Sequence, residues 1–259
     1  MDSAIILRDI PKKQVKIDMA LFPAIEGGFR GFSHVPAGLH YVSVKSHDSH
    51  IGFWSYVKSG DALVKIFNSE DNCFEDDLSE SQIKYKQLAL SGSLGSALKV
   101  YPHQFFPAWL TLSSTIKEEY FPPLIFESDP ISHSRFESAF KGTHNGKIDS
   151  FLQEFQFSFL KWHCSTLTSI NEDSAFERWK FLLFSVYNAG VSNISENPHL
   201  FINLITIIIT QFRHLGEDFF QEGDSLLENW DTLSKDMEDS GNAEVRKKAQ
   251  EFSEYILNR

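Results

Sequence analysis

The ten residues FLQEFQFSFL, Phe151 to Leu160, carry phenylalanine at 151, 155, 157 and 159 and so satisfy two periods at once. A strand would place Phe155, Phe157 and Phe159 on one face, whereas a helix would need apolar neighbours on two sides. At 100° per residue, Ile148, Phe151, Leu152, Phe155, Phe159 and Trp162 fall on one stripe and Phe157, Leu160 and Cys164 nearly opposite. Glu154 and Lys161 lie between the stripes on one side, Gln156 and His163 on the other. A strand of this length would be unusual and would leave Phe151 and Trp162 out of register. The pattern predicts a central helix packed on two sides, which requires a helical domain around it.

The neighbouring sequence supplies that domain. DSAFERWKFLLFSVYNAG has Asp173 or Ser174 as a cap and Gly190 as a stop. NPHLFINLITIIITQFRHLG is capped by Asn197, with Pro198 at the first helical position and Gly216 at its end. GDSLLENWDTLSKDM and NAEVRKKAQEFSEYIL complete a set of five expected helices. The apolar run Leu200 to Thr210 is shorter than the roughly 18 residues a membrane span needs and is interrupted by Asn203, so it reads as a buried helix.

The first third differs. AIILRDI, QVKIDMALF, GLHYVSVKS and IGFWSYVKSGDALVKIFNS are short runs rich in β-branched and aromatic residues, separated by turn signals at Gly27-Gly28, Pro36-Ala37-Gly38, Ser46 to His50 and Ser59-Gly60-Asp61. They predict a compact antiparallel β domain. Glu70 to Glu80, with six acids and no base, is expected to be a solvated hinge or loop. SESQIKYKQLAL, with Ser79 as cap candidate, and FPAWLTLSSTI are expected to be connecting helices. Pro122, Pro123, Pro130 and the Gly142 to Gly146 stretch mark a linker. The fold class is therefore α+β, with a β-rich domain and its connecting helices over residues 1–125 and an all-helical domain over residues 147–259.

Charge and cysteine content narrow the functional classes. A net charge of −11, from 24 basic and 35 acidic side chains, disfavours direct nucleic-acid binding and suits a basic protein partner. Two cysteines, Cys73 and Cys164, lie far apart without metal-ligand spacing, and the start MDSAIILRDIPKK lacks the basic and apolar regions of a secretory signal. An intracellular location, cytoplasmic or nuclear, without membrane insertion is expected.

The search for chemistry yields little. SGSLGS lacks the spacing of both a nucleophile elbow and a phosphate loop, and GGFRG misses the dinucleotide fingerprint, so both read as turns. His47, Asp48 and His50, with His34 and His40 nearby, could hold a divalent ion in a metal-dependent enzyme; the plainer reading is a polar hairpin loop. The remaining histidines are scattered and pair with no sequence-local carboxylate, although triads are spatial. We assign no catalytic residue, metal or cofactor.

In order and spacing, EFQFSFL, AFERWKFLL and LFINLITIIITQFRHLGEDFF resemble the helical half of the Aar-two family of splicing factors, also called the A-one cistron-splicing factors. The front half agrees: VPAGLHYV is similar to the family's Pro-Pro-Gly-Leu-His motif with Ala37 in place of the second proline, VKIDMALF to its Gly-Ile-Asp run, and IGFWSYV to its Gly-Phe-Phe strand with Trp54 in place of the second phenylalanine. The residues carrying the resemblance are Pro36, Gly38, Leu39, His40, Gly52, Phe53, Glu154, Phe155, Gln156, Phe157, Phe159 and Trp179, for which structural roles are expected. The resemblance implies an amino-terminal β-sandwich-like domain, a carboxy-terminal VHS-like helical domain and no enzymatic activity. It implies a role in assembling the U-five small nuclear ribonucleoprotein, through binding to the RNase H-like and Jab/MPN domains of the central spliceosomal protein Prp-eight. The same fold serving as a scaffold outside splicing is the alternative.

Overall fold

The computed structural model describes residues 3–11, 14–23, 29–46, 49–121, 135–165, 173–220 and 226–259. The described residues fall into two compact units. A β-rich one draws on Met1–Trp109, Lys117–Phe121 and Cys164–Ile170, and a helical one on Leu110–Ile116, Pro122–His163 and Asn171–Arg259. The expected linker prolines Pro122, Pro123 and Pro130 lie outside the described residues.

Nine strands form the described part of the β-rich unit: β1 (Ser3–Arg8), β2 (Val15–Ile17), β3 (Ala20–Phe22), β4 (Gly31–Val35), β5 (Gly38–Ser46), β6 (Ser49–Val57), β7 (Ala62–Asn68), β8 (Cys73–Asp76) and β9 (Leu98–Val100). They make a five-stranded sheet in the order β8-β7-β1-β4-β9 and a four-stranded sheet in the order β3-β2-β5-β6. The second sheet is wholly antiparallel, as expected. The first is mixed, because β1 runs parallel to β7 and β4 parallel to β9. The reason is topological. The chain passes repeatedly between the two sheets, so strands that become neighbours are remote in sequence and need not reverse direction.

Ile5, Leu7, Phe32, Val35 and Phe67 of the first sheet meet Val15, Ile17, Val42, Val44 and Val57 of the second in one apolar core. The helix α1 (Ser81–Leu90) covers the outer face of the first sheet, where Ala4, Ile6, Ala62, Val64 and Leu98 pack with Ala89, Tyr85 and Leu94. Strand β1 is therefore buried on both faces, which accounts for the unbroken apolar run AIIL. At Gly31, φ is +126° and a Cβ would lie 1.9 Å from the Ile5 carbonyl oxygen, so only glycine fits beside β1.

Some local expectations are corrected. The acidic stretch from Glu70 to Glu80 is not merely a hinge, since β8 lies within it and pairs with β7, and Asp77 is buried against Arg8 at 2.5 Å. Ser79 does not cap α1; Glu80 occupies that position without a side-chain bond, and the Ser79 hydroxyl bonds Asp77 instead.

The helix α2 (Phe106–Ser113) carries Pro107 in its first turn. In the helical unit, α3 (Arg135–Glu137) runs into a π-helical turn over Ser138–Thr143, whose Phe140 packs edge-on against Phe151. Packing in this unit thus begins upstream of Lys147. The remaining helices are α4 (Ile148–Ser165), α5 (Asp173–Tyr187), α6 (Gly190–Glu196), α7 (Pro198–Phe212), α8 (Trp230–Asp239) and α9 (Ala243–Leu257). Gly190, expected as a stop, has φ +78° and opens the additional helix α6. Asn197 precedes α7 but donates its side-chain amide to the Asn193 carbonyl rather than capping α7, whereas the Asn242 side chain does cap α9 by accepting from the amides of Glu244 and Val245.

Helix α4 is the central helix the periodicity demands, with every residue from Phe151 to Leu160 buried. Both apolar stripes are covered. Glu154 and Gln156 between them are buried too, and that requires partners.

Candidate functional site

Two of the motif residues, His40 and Glu154, each sit in a buried polar cluster, one in each unit. In the β-rich unit Asp18 sits in the turn between β2 and β3 with φ +51°, a conformation aspartate tolerates better than most side chains. Its backbone amide donates to the Tyr41 carbonyl at 2.7 Å, and its Oδ1 accepts the Tyr41 amide at 2.9 Å. Its Oδ2 accepts the Tyr101 hydroxyl at 2.7 Å and lies 2.7 Å from His40 Nδ1. His40 Nε2 donates to the Pro36 carbonyl at 2.8 Å. A carbonyl and a carboxylate both only accept, so both ring nitrogens carry protons and His40 is an imidazolium. Burial opposes that charge, but the Asp18 carboxylate and its hydrogen bond outweigh it, and the His40 pKa is raised. Burial, then Asp18, raise the pKa of Tyr101, which remains a donor.

Around this pair, Gly38 adopts φ +137° at the entry to β5, and the Leu39 carbonyl accepts the Trp109 indole N–H at 2.7 Å. Gly52 pairs with Ser43 across β5–β6, and a Cβ there would lie 2.4 Å from the Tyr41 hydroxyl oxygen. Phe53 packs edge-on against Phe74 and carries Lys65 Nζ 5.4 Å from its ring centre.

In the helical unit Glu154 is the hub. Arg178 of α5 donates Nε to Oε1 at 2.8 Å and Nη2 to Oε2 at 2.9 Å, a two-point fork. His144, after the π-helical turn, lies with Nε2 2.8 Å from Glu154 Oε2 and Nδ1 2.8 Å from the Ser150 hydroxyl. Gln156 faces elsewhere: its Oε1 accepts the Thr115 amide at 3.1 Å and the Thr115 hydroxyl, and its Nε2 donates to the Thr111 carbonyl at 2.7 Å. Trp179 donates to Gln211 of α7 at 3.0 Å and stacks on Trp162, while Phe159 packs against both rings. Phe155 and Phe157 are buried. From one central helix, the Glu-Phe-Gln-Phe motif therefore reaches the 144 turn, α5 and the 111–115 segment.

Asp18, Tyr101, His144 and Arg178 were not singled out from sequence; their partners are spatial, with Asp18 and Tyr101 83 positions apart. His47 and Asp48 lie outside the described residues, and His50 is buried beside Ser43, its pKa lowered by burial and by Lys16 and Lys45. Among the described residues no group of three or more histidine, cysteine, aspartate or glutamate side chains is placed to hold a metal ion. Burial pushes the Cys164 thiol up to about 12, which makes it a poor nucleophile. No helix among the described residues is long and apolar enough to cross a membrane.

Both clusters are buried within their units, and the two units together define an α+β protein. One family model, the AAR2 N-terminal domain, matches residues 1–125, and another, the AAR2 C-terminal repeat region, matches residues 132–259. The chain is 36% identical over 91 residues to the Protein AAR2 homolog of Caenorhabditis elegans, in an alignment that spans 34% of this chain and 25% of that protein. The chain belongs to the AAR2 family.

Proposed function

We propose that the protein is a noncatalytic assembly factor of pre-mRNA splicing, which binds the RNase H-like and Jab/MPN domains of the central spliceosomal protein Prp-eight during U-five particle maturation. The observation that carries this reading is the match of AAR2 family models to both halves of the chain. The chemistry of the molecule is compatible with it, since the buried histidine–carboxylate pairs are occupied by structural bonds. Binding proceeds through the exposed surface. That surface presents acids on the β7–β8 hairpin (Glu70, Asp71, Glu75) and on α8 (Asp231, Glu238, Asp239), and the net charge of −11 favours a basic partner.

The test is capture of partners by the tagged full chain from lysate of its own source at low and moderate salt, read by mass spectrometry. Enrichment of the central U-five protein that declines with salt is expected. Its absence at low salt would refute the splicing role, and a complex indifferent to salt would refute the acidic-surface contribution.

A further inference from the structure

The segment from Tyr101 to Trp109 leaves the edge strand β9 and runs into the first half of α2. The Tyr101 amide donates to the Ser33 carbonyl at 2.9 Å, and the bonds of His103 and Phe105 stay within the segment, to Tyr101 and Pro102. In its middle His103, Gln104, Phe105 and Pro107 are exposed. Its two ends are different. Tyr101 and Trp109 are buried, and their polar atoms land on adjacent places in the β-rich unit: Tyr101 on Asp18, which holds His40, and Trp109 on the carbonyl of Leu39. The Tyr101 ring lies edge-on to His40 at 5.5 Å and to Phe106 at 6.0 Å, and Trp109 stacks on Trp54 at 6.1 Å.

We propose that Asp18, His40 and Tyr101 form a conformational latch that pins the Tyr101–Trp109 segment to the β-rich unit, so that breaking it releases the segment while the sheets stay folded. The latch has two parts of unequal strength. Asp18 is joined to β5 by the Tyr41 amide, and His40, itself in β5, bonds the Pro36 carbonyl of the preceding turn, so the two remain a pair without Tyr101. Tyr101 contributes one hydroxyl bond to a charged acceptor, whose loss affects the segment and leaves the strand ladders intact. The proposal is independent of which partner the protein binds.

Hydrogen exchange on the full chain, read peptide by peptide, tests it in wild type, Tyr101→Phe and His40→Gln. In Tyr101→Phe the amides within 101–109 are expected to exchange at least about tenfold faster, with β1, β5 and β7 unchanged. His40→Gln, which removes the cation that orients Asp18, is expected to accelerate the same amides ahead of those in β1 and β7. Unchanged exchange in 101–109 for Tyr101→Phe would overturn the latch. So would acceleration of 101–109 only in step with β1 and β7, because the cluster would then be an ordinary part of the global fold.

Discussion

Replacing Glu154 by alanine tests the hub of the helical unit. The substitution removes both bonds of the Arg178 fork and the contact to His144, and leaves a guanidinium that is 1% exposed and an imidazole that is 2% exposed without their carboxylate. Removing one partner of a buried pair costs about 3–5 kcal/mol, because the remaining charge stays buried and uncompensated. For a unit of this size such a loss lowers the melting temperature by about 10 °C or more. Circular dichroism at a helical wavelength follows the transition. The pairing also predicts non-additivity. Replacing Glu154 and Arg178 together by leucine should cost less than the sum of the single changes, since an apolar pair leaves no orphaned charge between α4 and α5. A melting temperature within about 3 °C of wild type for Glu154→Ala would refute the hub, because the desolvation argument allows no such small value.

Phe155→Ala should destabilise the protein by about 3–5 kcal/mol, as the ring is fully buried; an unchanged melting temperature would contradict the buried central helix. Gly52→Ala should cost about 1–3 kcal/mol, because the added methyl meets the Tyr41 ring, and urea unfolding at constant slope measures it. The folded-state pKa of His40 is raised above its unfolded value near 6.5, so its contribution is fully present below that pH and is lost as pH rises through the folded value. Unfolding measured from pH 6 upward should show stability falling, and His40→Gln should flatten that slope; equal slopes would dismiss the imidazolium assignment.

The architecture was legible where a pattern ran long enough to settle its period. Helix α4 follows from its phenylalanine spacing, and α7 from the isoleucine-rich run at Ile205 to Ile209. The paired strands β5 and β6 follow from their β-branched and aromatic residues. Short elements carried too few residues for a pattern: β9 is three residues long, and β8 is hidden in an acidic run because an edge strand tolerates charge. The parallel pairings left no local trace, since β1 meets β7 across four intervening crossings between sheets. Motif resemblance pointed to His40 and Glu154 as residues of consequence, yet what they do was not readable. The partners Asp18, Tyr101 and Arg178 are brought to them by the fold, and Glu154, expected between two apolar stripes of α4, is buried against Arg178.

The central claim concerns binding, and purified components address it most directly. The full chain would be titrated into the purified RNase H-like and Jab/MPN domains of the central spliceosomal protein, with heat or anisotropy as the readout at low and raised salt. A saturable complex that weakens as salt rises is predicted. No saturable binding at low salt, with both proteins folded, would contradict the account.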